Sequence, residues 1–526
     1  MSLGIWGLSK QPCLVAVQSV HFIVANARAT GPDRAMLERF SLVRRTTVAF
    51  RAAVSVLFLT VVGCGPTDAT RDPSLGRTSL TTRRLTTSGR WLLDEQGRKV
   101  LLRGVNAGGR AKMEPFVPFD FAAGSFEVAA DSYFERIAAL GANAVRLTLS
   151  WEGLEPVEGR RDPTYWQRYR AMVDAAHAHG VGVIVEFHQD AYASPFCGDG
   201  FPLWTLGALA HGPPHYDCSY LNWSLPYFDP VSTVNQAFAR LWSNADGLRS
   251  KFASMWQFVA TELGRHPGVL GFEIINEPGV GTGDPSVFQQ SVLPAFYSEI
   301  GAVIEAAAGS AVIFGGTNAG DSSTSHALVL PKLKSFAFAP HYYDALAFLN
   351  IDLVDPARLR SALLKTITLP NDPQIPIVVG EYGMPNANPA KEGYLDAMLG
   401  LFDEYRLHAI HWDAHQSAQL WNHEDFSVFR PDGSQQEWAR ALDRPFPRTV
   451  AGGDVTFSYD LTSSVFELVV TAATSGVTEI YIPKQRFGSD PQVSTQGARW
   501  NWLPESQLLI LAAAPGQSYT ARVTPR

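Results

Sequence analysis

Asn276-Glu277-Pro278 and Gly380-Glu381-Tyr382-Gly383 are the two strings in which this chain sets a carboxylate in position to do chemistry. Each closes an apolar, β-branched run, 269–275 before the first and 375–379 before the second. Runs of that kind, cut off by Gly or Pro, predict buried strands of a parallel sheet. A carboxylate at the exit of such a strand is poorly placed for packing and well placed for catalysis. Two of them on different strands match what cleavage of a glycosidic bond demands. One acid protonates the leaving oxygen, and one carboxylate attacks carbon.

The neighbours of the pair fit those roles. Pro278 fixes the backbone as it leaves the strand, and the amide of Asn276 is placed to bind a sugar 2-hydroxyl. Arg146, in Ala144-Val145-Arg146-Leu147, would support an ionised Glu381 through charge-assisted bonds. Tyr343, in Pro340-His341-Tyr342-Tyr343-Asp344, would donate a phenolic hydrogen bond to the same oxygen. Once a glycosyl-enzyme forms, the charge on Glu381 is gone and Glu277 can turn from acid to base toward water. One such Glu alone would read as an ordinary ion pair at a strand end. Both, in this order with Arg146 and His341, do not.

These side chains need a frame. Strand-like runs at 100–105, 144–149, 181–187, 269–275, 311–314, 336–338, 375–379 and 409–412 alternate with segments of helical periodicity that end at glycines such as Gly141 and Gly180. Eight such repeats predict an α/β fold, a TIM barrel with enlarged loops over 90–445. A doubly wound nucleotide-binding sheet is excluded, because the glycine-rich stretch 103–109 lacks the phosphate-binding spacing. After Pro445 the helical signal stops. Short runs at 454–460, 465–471, 477–482 and 508–511, separated by turn residues, predict a small all-β sandwich over 446–526.

The chain has 526 residues, 46% apolar and 18% charged, as globular proteins do. A net charge of -7 and the lack of a basic stripe speak against nucleic acid as a partner. The 13 Trp and 16 Tyr suit sugar rings as well as a core. Trp421 reads as a stacking platform under the sugar at the cleavage point. His411 and His415 have helical metal spacing, yet they lie among Trp412 and Trp421, so packing is expected and no metal or cofactor is called for.

Ahead of the barrel, Arg44, Arg45 and Arg51 precede an apolar stretch that ends Val61-Val62-Gly63-Cys64, the layout of an export signal. The last four residues resemble a bacterial lipobox, which makes Cys64 the expected lipidation site. Met36 is then the expected start, with 1–35 an upstream artefact, 36–63 the signal peptide and 64–89 a flexible tether. The stretch is too short for a membrane span, so the expected membrane contact is a lipid anchor. In an exported protein, Cys197 and Cys218 are expected to form a disulfide, worth roughly 3 kcal/mol against the unfolded chain.

Taken together, Asn276-Glu277-Pro278, Gly380-Glu381-Tyr382-Gly383, Arg146, His188, His341-x-Tyr343 and Trp421 resemble glycoside hydrolase family 5, the retaining enzymes built on a TIM barrel. That resemblance implies Glu277 as acid/base and Glu381 as nucleophile. A narrower one follows the third strand. Glu186-Phe187-His188-Gln189-Asp190-Ala191-Tyr192, then Cys197-Gly198-Asp199-Gly200-Phe201-Pro202-Leu203-Trp204, is similar to the endoglycoceramidases, which cut oligosaccharide from ceramide. It implies sugar contacts for Lys112 and Asp190. Ala191 and Ala193-Ser194 depart from the residues expected there.

The implied activity is that of a monomeric retaining β-glycosidase acting on a glycosphingolipid or similar lipid glycoside. Tyr192, Phe196, Phe201, Trp204, Tyr216, Tyr220, Trp223, Tyr227 and Phe228 either wall an apolar groove for the lipid or form a satellite core under a long loop. The rival activities are β-glucanase, β-mannanase and steryl-β-glucosidase. The rival of another class is a catalytically silent carbohydrate-binding barrel, which would not need both carboxylates.

Overall fold

Parallel strands buried along their whole length account for the continuous apolar runs. The computed structural model describes residues 71–79, 82–321, 325–348 and 354–526. Eight strands form one parallel sheet: β1 (Arg103–Ala107), β2 (Ala144–Leu149), β3 (Gly182–Phe187), β4 (Val269–Glu273), β5 (Val312–Gly315), β6 (Phe336–Phe338), β7 (Val378–Val379) and β8 (His408–His411). They run β7-β8-β1-β2-β3-β4-β5-β6, and a parallel bridge from Phe338 to Ile377 closes the ring. Pro376 has no N–H to give a ladder, so β7 is shorter than the run 375–379 suggests.

Helices cover the outside. Pro163–Ala178 starts where Asp162 accepts from the backbone N–H groups of Thr164 and Tyr165, with Pro163 at its first position. Between β3 and β4 the chain makes a long excursion that carries the helices Tyr220–Phe228 and Thr233–Trp242 and the disulfide Cys197–Cys218. Among the described residues no helix is long and apolar enough to cross a membrane.

The β-sandwich departs from the sequence reading in one important way. Its larger sheet has seven strands, and three come from the N-terminal side: Thr86–Ser88, Trp91–Leu93 and Lys99–Val100. They extend Phe446–Val450, Thr478–Tyr481, Leu508–Ala512 and Arg499–Leu503, while Val455–Asp460, Val465–Val470, Tyr519–Thr524 and Gln492–Gln496 form the facing sheet. The run 100–105 is therefore two strands. Leu101 packs into the sandwich core and Leu102 into the barrel floor, so the chain changes sheets between them.

The expected tether 64–89 needs the same correction over its described part. The Asp72 N–H donates to the Trp500 carbonyl at 2.7 Å, and Arg77 Nε reaches Glu479 Oε2 at 3.3 Å. Residues 71–79 are thus strapped onto the sandwich. The described residues from Arg71 onward belong to one unit, and the expectations at Met36 and Cys64 lie outside the described residues.

Candidate active site

Glu277 leaves β4 through a turn in which its own φ is +31°, a region that side-chain-bearing residues rarely adopt. Gln189 clamps that turn, its Nε2 donating to the carbonyls of Asn276 at 2.7 Å and Glu277 at 3.0 Å. Glu381 follows β7 in a short strand, Glu381–Gly383, that pairs in parallel with His341–Tyr343 and sets His341 opposite Glu381. A Cβ on Gly380 would stand 3.0 Å from His341 Nε2, so glycine there lets the two segments close. The result is convergence: oxygens of Glu277 and Glu381 and a nitrogen of His341 lie within 4.8 Å of one another.

Arg146 holds this floor together. It is fully buried and makes a bidentate pair with Glu273, Nε to Oε2 and Nη2 to Oε1, each at 2.8 Å. Nη1 donates to Glu381 Oε1 at 2.8 Å and to Asn106 Oδ1 at 2.9 Å, and Nη2 donates to Asn276 Oδ1 at 2.8 Å. Glu186 stands 3.3 Å away. The other oxygen of Glu381 accepts from the Tyr343 hydroxyl at 2.8 Å. One side chain thus fixes both the Glu381 carboxylate and the amide beside Glu277.

His341 Nδ1 lies 2.8 Å from Glu277 Oε1 and 3.5 Å from Glu381 Oε2. Burial works against its charge, but the two carboxylates outweigh it and raise its pKa above the ordinary histidine value. His188 is held well above that value in the same way, with burial overcome by Glu186 and Asp190. Its Nδ1 is 3.2 Å from both Glu186 oxygens, and its ring stacks on Trp412 at 5.1 Å.

Lys112 and Asp190 meet as well. The Lys112 ammonium donates to Asp190 Oδ2 at 2.6 Å and to Glu424 Oε2 at 2.8 Å, and lies between the rings of Trp421 at 4.0 Å and Trp412 at 4.5 Å. Burial pushes the Glu424 carboxyl up to about 7, against the pull of Lys112. His188, Asp190 and Asp199 are close enough to hold a cation together, yet Lys112 already supplies the positive charge at Asp190. The grouping of Cys197, His215 and Cys218 is spoken for, since both sulfurs are in the disulfide.

Two expectations need amendment. Trp421 is no open platform: it is fully buried, with Lys112 over its ring and Trp223 against it at 5.1 Å. Trp412, at the exit of β8, stacks on His188 and also carries Lys112. Asn276 is only 1% exposed and its amide is engaged, Oδ1 by Arg146 and Nδ2 by the Gln189 carbonyl at 3.1 Å. Its part in the structure is to lock the acid's turn to the nucleophile's arginine.

A cavity of about 540 Å³ opens over this floor. Glu277, Glu381, Asp190, Lys112 and Tyr343 are among its polar lining, and Tyr220, Trp223, Tyr227 and Phe228 among its aromatic lining. The aromatic excursion after β3 therefore divides. Tyr192 and Phe201 are buried in the core, stacked at 4.0 Å, while the helix Tyr220–Phe228 walls the cavity.

The sequence model of the cellulase family, glycosyl hydrolase family 5, matches residues 93–418, and that of the family 5 C-terminal domain matches 444–524. The chain belongs to glycoside hydrolase family 5. It is similar to endoglycoceramidase I of Rhodococcus hoagii (strain 103S), 26% identical over 503 residues, which cover 91% of this chain and 94% of the relative. The structure of endo-glycoceramidase II from Rhodococcus sp. in complex with ganglioside GM3 superposes with a TM-score of 0.68 at 25% identity, covering 84% of this chain and 100% of that one. Sterylglucosidase 1 of Cryptococcus neoformans shares the fold, with a TM-score of 0.68 at 17% identity over 88% of this chain and 99% of that one.

In this family 5 barrel the sequence reading missed several residues. Glu186 and Glu273 stand in the middle of apolar strands, Val185-Glu186-Phe187 and Phe272-Glu273-Ile274. A charge in such a place must be paired, which was the available signal. Asn106, Trp412 and Glu424 carried no pattern of their own, and Gln189 stood in the string after the third strand with no part assigned to it. Their parts follow from neighbours brought from other strands.

Proposed function

We propose that Glu277 and Glu381 are the acid/base and the nucleophile of a retaining β-glycosidase that releases sugar from the lipid of a glycosphingolipid or similar lipid glycoside. The observation that carries this is the approach of the two carboxyl groups to within 4.8 Å in a cavity that Tyr220, Trp223, Tyr227 and Phe228 also line. Retaining enzymes keep the pair about 5 Å apart, whereas inverting ones leave room for a water. Glu277 gives its proton to the glycosidic oxygen while Glu381 forms a bond to the anomeric carbon and the lipid alcohol departs. Arg146 and Tyr343 hold the attacking carboxylate along two directions. Water then loses a proton to Glu277 and displaces Glu381 from the sugar, which restores both groups.

The fit of substrate class rests on shape. Lys112 and Asp190 offer polar contacts to a sugar, and Tyr220, Trp223, Tyr227 and Phe228 an apolar wall to an aglycone. Flat aromatic walls also suit a steryl glucoside, so the test is a panel: glycosphingolipid, steryl glucoside and soluble β-glucan or β-mannan, with product identification. Ceramide and free oligosaccharide from the first, at far higher kcat/KM than sugar release from the polysaccharides, supports the proposal. Efficient hydrolysis of polysaccharide alone overturns the lipid part. Glu381→Gln is expected to retain the fold and lose turnover by more than about 10⁴-fold.

The same reading sets the enzyme at a bacterial cell envelope through a lipid on Cys64, supported by the sequence around Val61-Val62-Gly63-Cys64 and by the disulfide. Cys64→Ser is expected to move the enzyme from the membrane fraction to the soluble one.

A further inference from the structure

A second cavity, of about 410 Å³, lies at the other end of the barrel. Leu102, Asn143 and Gly180, which precede β1, β2 and β3, form its floor, and the strands Lys99–Val100, Phe446–Val450 and Thr478–Tyr481 bring the sandwich to it. The catalytic carboxylates sit at the opposite strand ends, so this space belongs to a different part of the molecule.

Its charges do not balance. Arg77, Arg83, Arg98 and Arg448 line it, against Asp94 and Glu479. Both carboxylates are already taken. Arg98 is 1% exposed, and its Nε donates to Asp94 Oδ2 at 2.8 Å and its Nη1 to Glu479 Oε1 at 3.1 Å. Arg77 takes the other Glu479 oxygen. That leaves Arg83 and Arg448 without a carboxylate among the described residues.

The unsatisfied atoms point the same way. Arg83 Nε, Arg448 Nε and Thr449 Oγ1 are buried and have no hydrogen-bond partner among the described residues. Arg448 makes one bond through its other nitrogens, Nη2 to the Gly141 carbonyl at 2.9 Å. Burial and the neighbouring Arg77 and Arg83 lower the Arg448 pKa to about 10, although Tyr481 and Glu479 pull it back up. Burial, then Arg77, lowers Arg83 too, and burial, then Arg83, lowers His177. Arg83, Arg448 and His177 are thus each disfavoured as cations by their surroundings, and buried donors without acceptors are costly.

We propose that this cavity binds a tetrahedral oxyanion of the phosphate class, held by Arg83, Arg448 and Thr449 at the junction of the N-terminal strap, the sandwich and the barrel floor. Guanidinium groups match such an oxyanion with two parallel N–H bonds, and a hydroxyl beside them supplies a third donor. The bound ion would join three parts of the fold that the chain brings together from distant positions. Its expected effect is on stability, with turnover unchanged.

The test is thermal unfolding of the whole protein in inorganic phosphate, with sodium chloride matched for ionic strength and with acetate and glycerol phosphate as further arms. Phosphate is expected to raise Tm saturably by about 2 °C or more, with chloride and acetate well behind. An equal rise in glycerol phosphate identifies an ester headgroup as an acceptable source; no rise there confines the site to the free ion. Arg83→Gln with Arg448→Gln should abolish the phosphate effect, leave turnover of a soluble aryl glycoside within about twofold, and leave Tm in chloride unchanged or higher. Should that double variant fail to fold, Thr449→Val alone should shrink the shift. A phosphate shift matched by chloride, absent in the wild type, or retained in the variants overturns the proposal.

Discussion

Tyr343 and Arg146 approach Glu381 from two sides, and they do so in different ways. Arg146 also carries Glu273 and Asn276, so its removal would leave Glu273 buried without its cation and cost stability of about 3–5 kcal/mol. Tyr343 touches the nucleophile through a single hydroxyl. Tyr343→Phe should therefore fold normally and lose about 10- to 100-fold in kcat/KM, the worth of one hydrogen bond to a charged group. Unchanged steady-state kinetics would remove Tyr343 from the catalytic step. Glu424 gives a pH effect with a definite sign. Its carboxyl titrates near 7 in the fold and about 4.3 in the unfolded chain, so between those values the folded state holds the extra proton. Stability then falls as pH rises through that window and levels off above it. Glu424→Gln should flatten that fall, read as urea midpoints on either side of the window and within it. A slope identical to wild type would show that Glu424 carries no such proton.

At the scale of elements, the helix Tyr220–Phe228 separates the needs of packing from those of substrate. Tyr227 and Ser224 are buried, whereas Leu221, Leu225 and Phe228 are each more than half exposed, Phe228 at the cavity itself. Exposed aromatics on a rim add little to stability, so Phe228→Ala should leave Tm nearly unchanged. If the rim meets the lipid, the same change should raise KM for a glycolipid about tenfold, because the alkyl chains would then leave more of their surface in water. A soluble aryl glycoside should be turned over as before. Equal effects on both substrates would place Phe228 outside lipid binding. The elements that carry Glu277 and Glu381 were legible because long apolar runs end abruptly at Gly or Pro. The platform was not. Trp412 and Trp421 lie close together after β8, and nothing in their spacing tells that Lys112 lies over both rings or that Trp223 packs against Trp421. Nor were Thr86–Ser88, Trp91–Leu93 and Lys99–Val100, since strands of two or three residues are too short to show alternation and their sheet is completed from the far end of the chain.

For the whole molecule, barrel and sandwich cannot be cut apart at the boundary that the sequence marks. Leu101 belongs to the sandwich core, Gly141 lies so close to Tyr481 that a Cβ would stand 2.4 Å from its ring, and the Tyr481 hydroxyl donates to Asp443 at 2.9 Å. A chain ended at Pro445 loses four strands of the larger sheet and all of the smaller one, and should be recovered as insoluble, inactive protein. The N-terminal side gives the sharper measurement. A chain beginning at Arg71 keeps every described strap contact and should match the full protein in Tm and turnover. A chain beginning at Leu101 loses Arg98 and with it the main partner of Glu479, which is 3% exposed. It also loses the strands Thr86–Ser88, Trp91–Leu93 and Lys99–Val100 of the larger sheet and the buried Leu85, Leu92 and Val100, so this shorter chain should unfold several degrees lower even though its catalytic residues are complete. Equal Tm values for the two truncated chains would show that the strap rests on the sandwich without supporting it.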